Sequence, residues 1–519
     1  MTMIATAAVF AACLSSASAP EDVRREALAQ EIAARVGERT AFADGLRTKA
    51  LASSPDRSLV RTESWQEVWP ATEADVRKRK GASLVTNDVT AEVWSDAIDA
   101  ALKARGAVSI PPRKEPYYID RPIVLGPGQA IVATGAEIRL KPKTSTCLLR
   151  NRTVVGMDKN LNVPDVPYDR GILVEGGTWF ALKTASAAMN GNRTGGCGTK
   201  GGVRGCHGAL LFNHVDGLVV RNVTVGGCQA HAIQLSDVHG FRLDGITLRA
   251  PTRDGVHVHG GSDWGWIGGV SGATWDDFVA INAWDWMHTA PVVGPIHHVL
   301  VEDVLAGPNG TRDLRLLPGN RRRPDGSGTV SCEISDVVLR RLKDIASIKA
   351  YDQPNLELGR NRDRSEPIGT LTRIFVNDIR LTRPCRIEID ENVNGFDVSK
   401  VNYAARPSAN EWLTRVGPMS RKYGKGVELF SPEADITVRD LGDNSSSTAS
   451  SSNQESHGLA YLPCASALVR VMQGSSPIAE KVLNICQMAP VRYLPEKMTG
   501  SSDFKLILYP ATGTIKSLN

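Results

Sequence analysis

Short segments of alternating apolar and polar residues recur at a constant spacing in the middle of the chain. Four of them begin 23 residues apart and lie at 208–212, 231–235, 254–258 and 277–281. A second series between them keeps the same offset, at 218–223 and 241–246. Alternation with a period of two predicts β-strands, and self-similarity at a fixed period of this length is typical of solenoids.

The repeat predicts a parallel β-helix, because a single coil buries too little apolar surface and has to stack on its neighbours. Stacking predicts two inward columns, one of Leu210, Ile233, Val256 and Val279 and one of Phe212, Leu235, Val258 and Ile281. Insertions delay the later coils, which are predicted at 312–316, 344–349, 374–376 and 386–389. We therefore predict an all-β solenoid with about 23 residues per coil.

The chain is predicted to divide into five segments. A helix that caps the solenoid is expected at 93–106, where apolar residues follow helical spacing and Gly106 ends the run. The segments are a signal peptide at 1–19, a helical or extended segment at 20–84, the β-helix at 85–439, a Ser-rich linker or loop at 440–456 and a C-terminal β cap or small module at 457–519.

The first residues favour export. Residues 1–19 form a short apolar stretch that ends in a small-x-small cleavage pattern before Pro20. A variant interpretation is a degenerate lipoprotein signal with the lipid on Cys13. Beyond residue 19 no apolar run approaches the roughly 18 residues that a membrane helix needs. We therefore expect a secreted or periplasmic protein without an integral membrane segment.

Charge and cysteine spacing narrow the possible partners. The chain has 61 Lys and Arg against 56 Asp and Glu, and this net charge of +5 is too dilute for nucleic acid, which calls for a concentrated basic stripe. No C-x-x-C pair is present, so the cysteines do not indicate a structural zinc site. Cys197 and Cys206 flank a Gly-rich loop and are candidates for a disulfide in an oxidising compartment.

Three carboxylates are predicted to converge on two neighbouring coils. The 23-residue spacing places Asp277 above Asp254, with Asp276 beside it. Close carboxylates repel one another when both are ionised, so the pKa of at least one of them should be raised. An acid and a base of one residue type are what cleavage of a glycosidic bond needs. The alternative is that these Asp residues only form turns between strands.

The same residues carry a resemblance to a known family. The segment at 253–258, with its Asp-Gly, and the segment at 275–281, with its Asp-Asp one coil later, resemble the signature of glycoside hydrolase family 28, the polygalacturonase family. The resemblance implies a right-handed parallel β-helix of the pectate-lyase-like superfamily and inverting hydrolysis without a metal or an organic cofactor. It also implies that Asp276 is the general acid and that Asp277 and Asp254 activate water.

The chain departs from the family's pattern beside these acids. The family's Asn-Thr before the first Asp is Thr252-Arg253 here, and its Gly before the Asp pair is Trp275. Arg312 stands where the family has a catalytic His, and His297 and His298 lie nearby in the sequence as possible substitutes.

The family's substrate-binding sequence is also altered. Its Arg-Ile-Lys, which holds the substrate carboxylate, is Ser347-Ile348-Lys349 here. Because bidentate recognition of a carboxylate favours Arg over Lys, galacturonan specificity does not follow from the resemblance. We therefore expect a polysaccharide or oligosaccharide substrate, either acidic or neutral.

Several side chains around the acids are expected to bind this substrate. One outward column of the stack contains His257, Arg315 and Lys349. Five tryptophans, at 264, 266, 275, 284 and 286, crowd around the acids, and their flat faces and N–H groups suit sugar rings. The predicted binding residues are His257, Trp275, Trp284, Trp286, Arg312, Arg315 and Lys349.

One pair of histidines bears on the question of a metal site. His257 and His259 alternate on one predicted strand and could both bind an ion. The repeat supplies no third ligand in register with them, so we predict no metal and no cofactor.

The sequence thus favours a secreted glycoside hydrolase that degrades polysaccharides, and two alternatives stay open. A β-helix lyase would need a base to abstract the C5 proton of the sugar, for which Lys349, Arg312 and Arg315 are the candidates. A non-catalytic glycan-binding or adhesion β-helix would need none of the three Asp residues.

Overall fold

The computed structural model of the protein describes residues 21–381 with internal gaps, and separate strands beyond them as far as residue 517. The gaps are 79–80, 143, 145, 182–201, 229–230, 252, 286–289, 309, 312 and 351–368. The predicted signal peptide, Cys13 and Cys197 therefore lie outside the described residues. Cys206, the other half of the predicted disulfide, is buried.

The described part begins with helices and an antiparallel strand pair. These elements are α1 (Glu21–Thr40), α2 (Ala43–Leu51), a short 3-10 helix (Arg57–Leu59), β1 (Arg61–Pro70), α3 (Glu73–Val76), β2 (Leu84–Val93) and α4 (Ser95–Arg105). Short strands of the first coils follow, namely β3 (Ala107–Ser109), β4 (Tyr117–Ile119), β5 (Ile123–Leu125), β6 (Ala130–Val132), β7 (Glu137–Leu140), β8 (Leu149–Asn151), β9 (Asp169–Glu175) and β10 (Thr178–Phe180).

The remaining elements are strands. The central coils contain β11 (Gly208–Arg221), β12 (Thr224–Gly226), β13 (His231–Asp244), β14 (Thr247–Arg249), β15 (Val256–His259), β16 (Asp263–Gly268), β17 (Ser271–Ala273), β18 (Val279–Asn282), β19 (Ile296–Ala306), β20 (Asp313–Leu317), β21 (Gly319–Arg322), β22 (Thr329–Cys332), β23 (Ile334–Lys343) and β24 (Ser347–Ala350). The last part contains β25 (Thr370–Leu381), β26 (Arg386–Ile389), β27 (Asn392–Tyr403), β28 (Thr414–Val416), β29 (Ala434–Gly442), β30 (Gly458–Leu462), β31 (Ala467–Gln473), β32 (Ser476–Leu483), β33 (Ala489–Pro495), β34 (Phe504–Leu508) and β35 (Lys516–Ser517).

Most of these strands stack into three parallel ladders, one for each face of a coil. Face A consists of β5, β8, β11, β13, β15, β18, β20, β24, β26 and β28. Face B consists of β3, β6, β9, β11, β13, β16, β19, β23, β25, β27, β29 and β31. Face C consists of β2, β4, β7, β10, β12, β14, β17 and β19. The predicted all-β parallel β-helix is confirmed.

The register of face A confirms the predicted columns. Leu210 pairs with Ile233, Ile233 with Val256 and Val256 with Val279, and all four side chains are buried. The column that begins at Phe212 follows the same register as far as Ile281 and is also buried. Coils of 23 residues therefore place chemically similar positions directly above one another.

The later coils stack as predicted on face A, with one exception. Leu314 pairs with Val279, and Ile348 pairs with Leu314 in turn, so the insertions lengthen the coils without changing the column. The strand predicted at 386–389 also belongs to this face. Ile374 instead pairs with Val337 on face B, because the segment 374–376 is the second strand of its coil and not the first.

Helices cover the N-terminal end and part of face B. The predicted capping helix is α4, which ends at Gly106 in the left-handed conformation and buries Ile98 and Leu102 in the core of the solenoid. Helix α1 lies across face B, where Ile32 and Val36 join a cluster with Leu300 and two other apolar residues of that face, Val338 and Phe375. No helix among the residues that the structure describes has the length and apolar character to cross a membrane.

The C-terminal strands divide between the solenoid and a separate sheet. Strand β29 ends at Gly442, within the segment predicted as a linker from residue 440, and β31 continues face B by pairing with β29. Strands β30, β33, β34 and β35 form an antiparallel sheet within the segment 457–519, whose role as a cap or small module stays a prediction.

Candidate active site

The predicted carboxylate trio comes together on face A. The backbone N–H of Gly255 donates to the carbonyl oxygen of Asp277 at 2.9 Å, so the two Asp-containing turns stack in register. One carboxylate oxygen from each of Asp254, Asp276 and Asp277 lies within 4.8 Å of the others. Asp254 and Asp277 are each only 4% exposed, whereas Asp276 is partly exposed. The trio therefore joins two buried acids to one that solvent reaches.

A glycine and two threonines shape these turns. A Cβ atom at Gly255 would lie 2.6 Å from the carbonyl oxygen of Phe278, so only glycine lets the two coils approach this closely. The hydroxyl of Thr274 donates to the carbonyl oxygen of Asp276 at 2.7 Å, and the hydroxyl of Thr311 donates to the same oxygen. Gly255 thus lets the preceding coil approach the Asp-Asp turn, and Thr311 joins this turn to the following coil.

Burial and repulsion from neighbouring carboxylates raise the pKa of two of the three acids, Asp276 and Asp254. Burial raises the pKa of Asp276, and the charges of Asp254 and Asp277 raise it further, to about 7. Burial also raises the pKa of Asp254, although its hydrogen bond to His257 acts in the opposite direction. Asp276 is therefore partly protonated at neutral pH, which is the state that a general acid requires.

His257 lies against the buried acid. Its Nδ1 forms a short hydrogen bond with Oδ2 of Asp254, and the imidazole is 2% exposed. Burial lowers the pKa of His257, but the hydrogen bond and charge of Asp254 outweigh this effect, so the pKa is raised overall. The contact fixes the orientation of both side chains.

The two cations of the predicted binding column already have carboxylate partners in the protein. Arg315 Nε donates to Oδ2 of Asp277 at 2.5 Å, and the two side chains are 8% and 6% exposed. Lys349 Nζ donates to Asp313. Burial lowers the pKa of Lys349, but Asp313 and Asp277 outweigh it and raise the pKa overall, so the ammonium stays charged. Within the column His257 and Arg315 are buried, whereas Lys349 is 23% exposed.

The tryptophans do not gather around the acids as the sequence indicates. Trp264 and Trp266 lie on face B and pack against the cluster below α1. Trp284 is 6% exposed and its indole N–H donates to the carbonyl oxygen of Pro318 at 2.7 Å, so this side chain packs the coil. Trp275 directly precedes the acids, is partly exposed and has a buried Nε1 without a hydrogen-bond partner. The expected sugar-binding role thus fits Trp275 better than Trp284.

Of four further residues considered from the sequence, two lie outside the described residues and two lie on another face. Arg312 and Trp286 lie outside the described residues. His297 and His298 are on β19 of face B, where His298 stacks on Trp264 and His297 lies 3.7 Å from Asp263. The idea that this histidine pair replaces the family's catalytic His is therefore wrong, because the two residues lie on face B and the acids lie on face A.

Sequence reasoning missed a buried histidine cluster beside the acids. His231, at the start of β13, stacks on His257 with 4.1 Å between ring centroids, and His257 and His259 lie at the same separation. Burial holds the pKa of His231 and of His259 well below the usual range. His231 precedes Asp254 by one repeat of 23 residues, and this spacing is the sequence signal for the cluster. His231 is not in register with His257, so a search for ligands in one column does not find it.

A second histidine network lies at the bend between faces A and B. His239 Nδ1 is 3.0 Å from Oδ1 of Asp263, and its Nε2 is 3.5 Å from Asp237 and 3.2 Å from the hydroxyl of Tyr168. Burial lowers the pKa of His239, but the two carboxylates outweigh it and raise the pKa to about 9.

We expect His239→Gln to destabilise the protein in a pH-dependent way. Because the pKa is raised on folding from about 6.5, the stabilisation is complete below pH 6.5 and is lost as the pH rises through about 9. The loss in unfolding free energy should be about 1–3 kcal/mol at pH 6 and small at pH 10. Urea unfolding of both proteins at the two pH values measures it, and an equal loss at both would contradict the charged state of His239.

Comparisons with known proteins concern the architecture alone. No protein-family model and no curated protein matches the chain. Among solved structures, the chain is similar to an exopolygalacturonase from Thermotoga maritima, at 13% identity and a TM-score of 0.39 over 75% of this chain and 90% of that one. It is similar to the surface adhesin PfbA of Streptococcus pneumoniae, at 10% identity and 0.38 over 73% and 91%. It is also similar to the endo-xylogalacturonan hydrolase of Aspergillus tubingensis, at 13% identity and 0.36 over 62% and 91%.

Proposed function

We propose that the protein is a glycoside hydrolase that cleaves a polysaccharide by acid/base catalysis, in the manner of the polygalacturonase family. The observation that carries the proposal is the convergence of three carboxylates within 4.8 Å of one another, one of them with a pKa of about 7. Carboxyl groups whose pKa values differ can supply both a protonated acid and an ionised base at one pH.

The three acids divide two tasks between them in this proposal. Protonated Asp276 donates its proton to the glycosidic oxygen as the bond from that oxygen to the anomeric carbon breaks. Asp277, with Asp254, takes a proton from the water whose oxygen forms the new bond to the anomeric carbon. Arg315 Nε donates to Oδ2 of Asp277 in a buried ion pair, which fixes the position of this carboxylate. Trp275 is proposed to support a sugar ring next to the acids.

The spacing of the acids bears on the stereochemistry. The resemblance implies inversion, for which carboxyl groups are usually about 6.5–9.5 Å apart, whereas groups about 5–5.5 Å apart are typical of retaining enzymes. The oxygen separations of at most 4.8 Å are on the short side for inversion. We keep inversion as the proposal, and the anomeric configuration of the first product decides between the two courses.

Product analysis by proton NMR tests the proposal. The protein is incubated with a panel of acidic and neutral polysaccharides that includes polygalacturonate, and new hemiacetal ends with inverted configuration are expected. A retained configuration would leave hydrolysis in place and assign a carboxylate as nucleophile. Vinyl signals of an unsaturated sugar would establish a lyase, and binding without cleavage would establish an adhesin.

A lyase is the less favoured alternative for a physical reason. Proton abstraction at C5 requires a base in its unprotonated form, and Asp313 keeps Lys349 protonated. Arg315 is charged at any accessible pH and is paired with Asp277. Neither side chain is therefore suited to take a proton.

We expect the activity to fall as the pH rises through about 7. Asp276 must carry a proton to act as the acid, and its pKa lies near this value. Above pH 7 each further pH unit should lower kcat/KM about tenfold until another step limits the rate. The pH profile of kcat/KM between pH 5 and pH 9 measures this, and a flat profile up to pH 9 would exclude Asp276 as the acid.

We also propose that the protein acts outside the cytosol after removal of residues 1–19. The small-x-small pattern before Pro20 supports this. N-terminal sequencing of protein from the extracellular or periplasmic fraction should begin at Pro20. A start that retains the apolar stretch, or lipid on Cys13, would replace this proposal.

A further inference from the structure

The histidine cluster beside the acids has the composition of a metal site. One ring nitrogen from each of His231, His257 and His259 lies within 4.8 Å of the others. His257 and His259 come from the same strand, β15, and His231 comes from β13, the preceding strand of face A. The stack of coils thus brings together three imidazoles that lie 26 and 2 residues apart in the chain.

The three side chains are buried and leave nitrogen atoms without partners. They are 2%, 2% and 0% exposed in chain order. Both ring nitrogens of His231, Nε2 of His257 and Nδ1 of His259 are buried and make no hydrogen bond in the structure. Buried polar atoms are nearly always paired, so this cluster lacks a ligand that its nitrogens could bind.

Neighbouring groups hold two of the rings in place. Asp254 accepts a hydrogen bond from Nδ1 of His257, and the other ring nitrogen, Nε2, is buried without a hydrogen-bond partner. A carboxylate on the far nitrogen of a histidine is the usual outer support of a metal ligand. Gln234 Nε2 lies 2.9 Å from Nε2 of His259 and also donates to the carbonyl oxygen of Gly205. It can give up the histidine contact and remain hydrogen-bonded.

We propose that His231, His257 and His259 form a binding site for a divalent transition-metal ion of the Zn²⁺ class, with Asp254 as the carboxylate that orients His257. Neutral imidazole is a preferred ligand of such ions, whereas Ca²⁺ and Mg²⁺ prefer oxygen. Three protein ligands leave a fourth position for water or another group. The site shares Asp254 with the proposed hydrolysis, but none of the tasks given there to Asp254, Asp276 and Asp277 needs the ion.

Metal titration of the tag-free protein tests this inference. After treatment with a chelator, calorimetric titration with Zn²⁺ should show one equivalent bound, and Co²⁺ should give a visible absorption band of a nitrogen-ligated ion. Ca²⁺ should show no saturable binding. Zn²⁺ should also raise the thermal unfolding temperature of the wild type, because it binds the folded chain.

Variants separate this site from adventitious binding. His231→Gln and His259→Gln should each lower Zn²⁺ affinity by more than the roughly 10–100-fold that loss of an outer support costs, and Asp254→Asn should lower it within that range. The matched control is His297→Gln, a half-buried histidine of face B, which should bind as the wild type does. Circular dichroism checks that each variant is folded.

The results that overturn the inference are equally specific. If the wild type shows no saturable Zn²⁺ binding and no Co²⁺ band, the cluster is not a metal site, whatever the variants do. If Zn²⁺ binds with equal affinity to His231→Gln and to the wild type, the ion is held elsewhere. Neither result bears on hydrolysis, because loss of the hydrolase proposal would appear only in the product analysis.

Discussion

Asp276→Asn should lower the rate of polysaccharide hydrolysis about 10²–10⁴-fold while the protein stays folded. Asparagine has nearly the same shape as aspartate but has no acidic proton to give to the glycosidic oxygen. The substitution also removes repulsion with Asp254 and Asp277, which raises the pKa of Asp276. The variant should therefore be at least as stable as the wild type at pH 8. Initial rates of reducing-end formation and thermal unfolding of both proteins measure the two effects.

The combination of lost activity and unchanged or higher stability distinguishes a catalytic acid from a structural turn residue. Asp303→Asn is the matched control, since Asp303 is an exposed carboxylate of face B that pairs with Arg341. It should hydrolyse at the wild-type rate. Full activity in Asp276→Asn would exclude Asp276 as the acid of the proposed mechanism. A loss of stability without a loss of rate would show that Asp276 is a structural turn residue.

Phe241→Ala should destabilise the solenoid by about 3–5 kcal/mol. Phe241 is completely buried and stacks in register between Leu218 and Gly265. A Cβ atom at Gly265 would lie 2.0 Å from Cζ of Phe241, so the glycine of one coil makes room for the ring of the preceding coil. Removal of the ring leaves a cavity that the neighbouring coils fill only in part. Urea unfolding followed by circular dichroism measures the loss.

A double-mutant cycle tests whether the ring and the glycine form one packing unit. Gly265→Ala alone should cost about 1–3 kcal/mol from overpacking. In Phe241→Ala/Gly265→Ala the new methyl group occupies part of the cavity, so the double variant should lose less than the sum by about 0.5–3 kcal/mol. Gly45→Ala is the control, because nothing lies within 4 Å of a Cβ at that helical position and no destabilisation is expected. Simple additivity would show that the two coils relax independently.

Much of face A could be predicted from the sequence because its coils have the same length. A constant repeat of 23 residues makes position in the chain equivalent to position in the stack, so the inward columns and the meeting of Asp254 with Asp277 follow from counting. Counting residues predicts the position of a strand less reliably in the later coils, where insertions change the coil length and a segment can belong to face A or to face B. The segment 374–376 is predicted as a coil of its own, whereas Ile374 pairs with Val337 on face B and belongs to the second strand of a coil.

The surroundings of the acids could not be predicted in the same way. Trp264 and His297 are near the acids in the chain, yet they lie on face B because the chain turns after β15 and after β18. The cationic column was expected to be open to substrate, but Arg315 is already paired with Asp277. Such contacts depend on how side chains from different coils meet, which the spacing of residues does not specify.

The sequence by itself determined the repeat, the all-β solenoid with its capping helix and the stacking of the carboxylates, because periodic burial is a property of residue order. Only the tertiary structure decided which side chains share a space. It brought His231 to His257 and His259, closed the ion pairs around Asp277 and Asp313, and raised the pKa of Asp276 to about 7. Those outcomes depend on distances of a few ångströms and on the exclusion of water, and both arise only when the coils are packed.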